Sequence, residues 1–365
     1  MAKRCVGILF GGCSAEHEVS LQSAKSIFNA VNRDKYNVAP IGIDKGGKWM
    51  LYGTDGGTGF LLNEDDPKKI SLKPNGTPVA LLPGSGGSLV HIDGGGKTRV
   101  DVIFPVLHGP LGEDGSIQGL LKTAGVPFVG TAALGSAIGM DKDVMKRLLR
   151  EAGIPIAKHT TLHSMAEAPG YDDIVSLLGI PHFVKPANMG SSIGVNKVHN
   201  ESEYLQFVRE AFRYDTKIII EEFIKGRELE CAVLGNDDPA ASLPGEIRPA
   251  HEFYSYDAKY IDEDGAELVI PAGLSDEKIK EIQELAVKAH KTLCAEGLSR
   301  IDFFMRDDGM VIVNEINTMP GFTKISMYPK LWEERGLGYK ALIDRLIELA
   351  FERNEKERGL KTCYL

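Results

Sequence analysis

The stretch RIDFFMRDDGMVIVNEIN, residues 300–317, carries two apolar-rich runs around Asp308-Gly309. Asp-Gly between such runs is a two-residue hairpin signal; with that turn Asp307 opposes Met310, Asp302 opposes Glu315 and Arg300 opposes Asn317. Side chains two apart in a strand share a face, and directly opposed β-carbons lie about 5 Å apart, so these last four polar residues project together. Ile301, Phe303, Met305, Ile312 and Ile316 are left for a core-facing side. Two carboxylates and a carboxamide are hard oxygen donors of the kind Mg²⁺ takes, and an arginine beside them suits a phosphate or an oxyanion. The plain alternative, an exposed acidic hairpin, is disfavoured by the opposed pairing.

Working outward, KPANMGSSIG (185–194) places a lysine at a strand end before a small-residue loop, where backbone N–H groups can approach phosphate oxygens. It is not GxxxxGK[ST], so a P-loop is not implied. EEFIKGRE (221–228) is a strand end with clustered carboxylates: extended backbone can read a base edge and a carboxylate can hold two ribose hydroxyls, although an ordinary edge strand reads the same way. Two further glycine-containing loops, FGGCSAEHEVS (10–20) and HGPLGEDG (108–115), follow strand-like runs, where open α/β sheets bind ligands. Glu16, His17 and His108 are the candidates there for holding an amine or a carboxylate, with His17 at a helix start readable as a solvated cap.

Between these motifs, apolar runs at 5–10, 38–43, 100–107, 182–185, 193–198 and 217–224 read as strands. Helical patterns begin near Leu21, Ser116, Asp141, Glu201, Ser275 and Gly338. The alternation predicts an α/β protein whose N-terminal part is an open parallel sheet. Residues 130–139 read as small and flexible, and residues 44–99, with 13 glycines and no long periodic segment, as short strands, turns and a surface insertion.

The chain has 365 residues, a formal charge of −9, and 43% hydrophobic and 25% charged residues, which excludes wholesale disorder. The acidic balance argues against nucleic acid or an anionic membrane as the main partner, and no apolar run reaches a membrane span. Five scattered cysteines without CxxC suggest free thiols, and the apolar run after Arg4 is too short for a signal peptide; both point to the cytoplasm. No GxGxxG with a following acidic residue supports a dehydrogenase, and no GxSxG elbow supports a serine hydrolase.

In chain order, FGGCSAEHEVS, HGPLGEDGSIQG, MDKDVMK, VKPANMGSSIGV, EEFIKGRE, FYSYDAKY, RIDFF and NEINTMPGFTKISMYP resemble the long form of the D-alanine-D-alanine ligases, of the ATP-grasp superfamily. The resemblance runs from residue 5 to about residue 335. It implies three domains: 1–141, carrying the substrate loops and the 44–99 insertion; 142–228, central; and 229–365, with the metal site and a closing loop at 251–265. The two later, α+β domains would clamp ATP.

By the same resemblance, Lys142 and Lys185 meet the ATP phosphates, with Ser191 and Ser192 in the loop beside them. Glu221, Glu222, Phe223 and Ile224 border the adenine, Phe183, Phe253 and Phe304 wall it with Phe223, and Glu228 holds the ribose. Asp302, Glu315 and Asn317 match ligands of two Mg²⁺ or Mn²⁺ ions. Glu16 would take the first D-alanine ammonium with His108 near it, Arg300 the developing oxyanion, and Ser326 with Gly321 the second substrate. Ser191 and Tyr260 would link to Glu16, and Lys259 would reach the transferred phosphate. Peptidoglycan precursor synthesis by a homodimer follows from the family, K⁺ activation is left open, and the rivals are a D-lactate or D-serine acceptor or a non-catalytic nucleotide-binding regulator. Tyr260 favours an amine acceptor.

Overall fold

The structure is a computed structural model describing residues 2–53, 59–249, 266–323 and 325–361. Its described strands form three larger sheets and a two-stranded ribbon. In the first sheet Arg4–Gly11 lies between Tyr36–Ile43 and Val102–Val106, parallel to both. Covered on two faces, it reads as a continuous apolar run, with Val6, Ile8, Leu9 and Phe10 all buried. Helix His17–Ala30 packs on it through Leu21, Ala24, Ile27 and Phe28. The parallel trio therefore aims its two glycine-containing loops at one end of the sheet.

Residues 44–99 do more than decorate the surface. Trp49–Leu51, Thr77–Leu81, Ser88–His91 and Lys97–Arg99 extend the same sheet antiparallel from Tyr36–Ile43, making seven strands. Phe60 is fully buried, 5.0 Å from the Phe10 ring and 5.3 Å from Phe28, so the segment completes the core. Strands of two to five residues are too short to show a period, which is why the sequence hides this role.

The second reading to correct is residues 130–139. Ala133–Met140 is a helix, not a flexible link. A β-carbon on Gly135 would stand 2.2 Å from the Cys294 carbonyl oxygen, and one on Gly139 would stand 2.9 Å from Thr318 Cγ2. Those glycines let the helix press against its neighbours, and packing outweighs their cost in helix propensity, about 1 kcal/mol each.

The second sheet is antiparallel, in the order His159–Leu162, Ile218–Glu222, His182–Pro186, Asn196–Val198. Val184, Ile218 and Ile220 face helices Tyr171–Leu178 and Glu201–Ala211, so alternation turns Phe183, Lys185 and Glu221 to the opposite face. The expected strand 193–198 shrinks to Asn196–Val198, because Ser191, Ser192 and Gly194 all take left-handed backbone and keep the preceding chain in a loop.

In the third sheet the strands run Ala266–Val269, Gly245–Pro249, Gly226–Gly235, Gly297–Arg306, Val311–Asn317. Leu229, Cys231, Val233, Ile301 and Phe303 pack against helix Asp276–Thr292, leaving Glu228, Glu230, Arg300, Asp302 and Phe304 on the other face. Helices Met327–Glu334 and Tyr339–Arg358 share one core with the first sheet. Arg353 on the latter donates to the Phe128 carbonyl at 2.7 Å and to that of Gly130, tying the two parts together.

Candidate active site

Arg300 pairs with Asn317 and Asp302 with Glu315, as the sequence predicts, but by another route. The turn is not two residues. Arg306 opposes Met310, Gly309 N–H donates to the Arg306 carbonyl at 2.9 Å, and Gly309 has φ +83°, a three-residue turn ending in left-handed glycine. This shifts the pairing by one residue, so Phe303 faces Val313 and Phe304 faces Ile312. Asn314 then bulges and restores Asp302 opposite Glu315. As a result Ile312 joins Phe304, Ala157 and Ile224 instead of the core side assigned to it.

Arg300 forks onto Asp302 through two 2.7 Å bonds, and its Nε lies 3.0 Å from Glu230 Oε2. Asn317 Nδ2 donates to Asp302 Oδ2 at 2.9 Å. Lys142, first residue of helix Lys142–Glu151, reaches Glu315 at 3.3 Å and the Met189 carbonyl at 2.8 Å. Among the described residues no three His, Cys, Asp or Glu side chains sit where they could hold a metal. Two carboxylates and an amide nevertheless fit Mg²⁺, which retains waters and takes phosphate oxygens rather than an all-protein cage.

Lys185 pairs with Glu221, and so does Lys146, which is fully buried one helical turn after Lys142. Burial alone would raise the Glu221 carboxyl, but the charges of Lys146 and Lys185 outweigh it and hold it down at about 2. Burial pushes the Lys146 ammonium down while Glu221 opposes. Glu221 thus serves the lysines, whereas Glu222 accepts from the Lys158 N–H at 2.8 Å and lies 3.4 Å from Arg306.

The loop after Lys185 reaches across to the first sheet, where Ser191 Oγ donates to Glu16. His17 is buried against the Gly12 carbonyl at 2.7 Å, so it shapes its loop and is no solvated cap. His108 Nδ1 meets the Met319 carbonyl at 3.1 Å, and burial lowers its basicity although Glu16 opposes. Glu113 accepts from the Gly109 N–H at 2.8 Å; removal from water, then the nearby Glu16 charge, push its carboxyl up to about 8.

Two cavities adjoin here. One is bordered by Lys142, Phe183, Lys185, Ser192, Phe223, Ile224 and Phe304, the other by Glu16, His108, Arg300, Asp302, Gly321 and Ser326. Gly190, Ser191, Glu228 and Glu315 line both. Phe253, Lys259 and Tyr260, with the 251–265 segment, lie outside the described residues. Lys146, Glu230 and Glu113 were not singled out from sequence. Lys146 is four after Lys142 on a helix and Glu230 two after Glu228 on a strand, spacings that share a face.

Residues 5–131 match the family described as D-ala D-ala ligase N-terminus, and residues 148–348 match D-ala D-ala ligase C-terminus. A D-alanine–D-alanine ligase of Oceanobacillus iheyensis is 53% identical over 363 residues, spanning 99% of this chain and 98% of that protein. The solved D-alanine-D-alanine ligase of Coxiella burnetii superposes with a TM-score of 0.88 at 39% identity, covering 100% of this chain and 98% of that one. The VanG D-Ala:D-Ser ligase of Enterococcus faecalis gives 0.84 at 38%, covering 96% and 100%. The three sheets, the shared pair of cavities and this agreement along the length of the chain lead to one conclusion: the chain belongs to the D-alanine–D-alanine ligase family.

Proposed function

We propose that the protein joins two D-alanine molecules into D-alanyl-D-alanine at the expense of ATP. The observation carrying this reading is that the cavity bordered by Lys142 and Lys185 and the cavity bordered by Glu16 and Arg300 share walls at Gly190, Ser191, Glu228 and Glu315. A phosphate held in one can meet a carboxylate held in the other. A carboxylate is a poor electrophile; attack of its oxygen on the γ-phosphorus expels ADP and makes a D-alanyl phosphate. The second amine then attacks the acyl carbon and inorganic phosphate leaves.

Glu16 would hold the first ammonium, its position fixed by Ser191. Arg300 would stabilise the oxyanion of the tetrahedral intermediate, and Lys142 and Lys185 would spread the phosphate charge. Asp302, Glu315 and Asn317 would hold two Mg²⁺ or Mn²⁺ ions, which supply charge neutralisation on the phosphates when bound. By the family resemblance, Lys259 and Tyr260 would act in a loop at 251–265 that would exclude water from the acyl phosphate. Ser326 and Gly321 would seat the second substrate. We further infer a division into 1–141, 142–228 and 229–365, and a setting of cytoplasmic peptidoglycan precursor synthesis by a homodimer, with K⁺ as a further activator to be tested.

The deciding assay is ATP-dependent phosphate release with D-alanine, L-alanine or no amino acid. Release with D-alanine alone is expected; equal release without any amino acid would make the protein an ATPase. The likeness to a D-Ala:D-Ser ligase supplies a second reading. Product formed from mixed D-alanine and D-serine separates the two, and a dominant mixed dipeptide would favour the second.

A further inference from the structure

Three carboxylates stand in a row on one face of the third sheet: Glu230 opposite Asp302, and Asp302 opposite Glu315. Directly opposed like charges are destabilising, the more so out of water, and Glu230 and Asp302 have side chains only 8% and 15% exposed. The Arg300 guanidinium lies between these two, forking onto Asp302 and contacting Glu230 through Nε at 3.0 Å. Lys142 answers Glu315 from the other side.

Asp302 and Glu230 are not equivalent as partners of Arg300. Asp302 also receives the Asn317 amide and, if the chain acts as a ligase, must turn its oxygens to a divalent cation that repels the guanidinium. With Asp302 turned to the cation, the guanidinium loses its forked anchor, and the rotamer-rich arginine side chain is held less tightly. We propose that Glu230 is a positioning residue, which keeps Arg300 aimed at the junction of the two cavities while Asp302 is engaged by the cation. Its location fits that role, because Glu230 is buried at the floor of the substrate cavity, two residues from Glu228 on the same strand face, and rigidly held in the ten-residue strand Gly226–Gly235. Because the pair is preformed, Arg300 needs little reorganisation as charge develops.

The inference rests on the ligase reading of Arg300, and the test separates the two. Glu230→Ala, Glu230→Gln and Arg300→Ala are compared singly, and Glu230→Ala also in the Arg300→Ala background. Glu230→Ala is expected to lower kcat about 100-fold and Glu230→Gln, which keeps an oxygen for Nε, about 10-fold, both with KM for ATP within about twofold. In the Arg300→Ala background, Glu230→Ala should lower kcat by less than about threefold more. A phosphinate mimic of the tetrahedral intermediate, its binding followed calorimetrically, should weaken in step with kcat while ATP affinity holds. Wild-type kcat in Glu230→Ala, or its full loss repeated on top of Arg300→Ala, overturns the positioning role. Undiminished ligation by Arg300→Ala overturns instead the role given to Arg300.

Discussion

Asp302 faces Glu315 across two strands only because Asn314 bulges out between them. The bulge is pinned from outside the hairpin: Val313 N–H donates to the Pro155 carbonyl at 2.9 Å, and buried Lys146 reaches the Asn314 carbonyl at 3.4 Å. A regular continuation of the turn register would carry Glu315 to the opposite face. The placement of one carboxylate thus depends on a loop and a lysine more than 150 residues earlier in the chain.

Asp302→Asn and Glu315→Gln keep shape and remove charge, so each should fold and each should lower kcat at least about 100-fold. Mn²⁺ binding in the presence of ATP, followed by electron paramagnetic resonance, should weaken in parallel. Wild-type Mn²⁺ affinity in both variants would remove the metal role from this pair.

The Lys146–Glu221–Lys185 cluster separates two kinds of loss. Glu221→Gln leaves two buried lysines facing each other without their counter-charge and should cost about 3–5 kcal/mol of stability, whereas Lys146→Met leaves a neutral, paired Lys185–Glu221 and should cost much less. Urea unfolding midpoints at pH 7 compare them. Equal losses would mean that Lys146 contributes through packing rather than charge.

Glycine replacement tests the close helix contact directly. Gly135→Ala must displace the Cys294 carbonyl from 2.2 Å, a backbone clash that should cost about 2 kcal/mol or more. Gly119→Ala, in helix Ser116–Ala124 with nothing within 4 Å of the new carbon, should instead stabilise by about 0.5–1 kcal/mol. Thermal unfolding of the two variants should move in opposite directions.

Glu113 should leave a mark on the pH dependence of stability. Its carboxyl is raised to about 8, so between the ordinary value of about 4.3 and 8 the folded protein retains a proton that the unfolded chain has released. Stability contributed by this group is therefore largest in acid, falls as pH rises through that window and is flat above it. Glu113→Gln removes the slope, so the variant's melting temperature should gain on the parent's from pH 5 to pH 8.5. A constant difference across that range would place the carboxyl at its ordinary value.

Much of this was legible in the residues themselves. Strand alternation put Arg300 with Asp302 on one face and Glu315 with Asn317 on one face, since side-chain direction in a strand is a local property of period two; bringing the two pairs together took the Asn314 bulge. The glycine loops at 11–12 and 190–194, the lysine at the end of His182–Pro186 and the order of motifs carried the family and the ligand classes for the same reason: each is a short run read in place.

Tertiary structure decided what depends on partners distant in sequence. Glu230 counts only once its strand lies beside Gly297–Arg306, and Lys146 only once it meets Glu221 of the Ile218–Glu222 strand. Residues 44–99 became sheet and core because Tyr36–Ile43 offered an open edge and Phe10 and Phe28 a ring-sized space for Phe60. Ala133–Met140 became a helix because its glycines are spaces for other chain segments. Local periodicity fixes which way a side chain points; register, burial and charge pairing are long-range energies, settled only when the sheets come together.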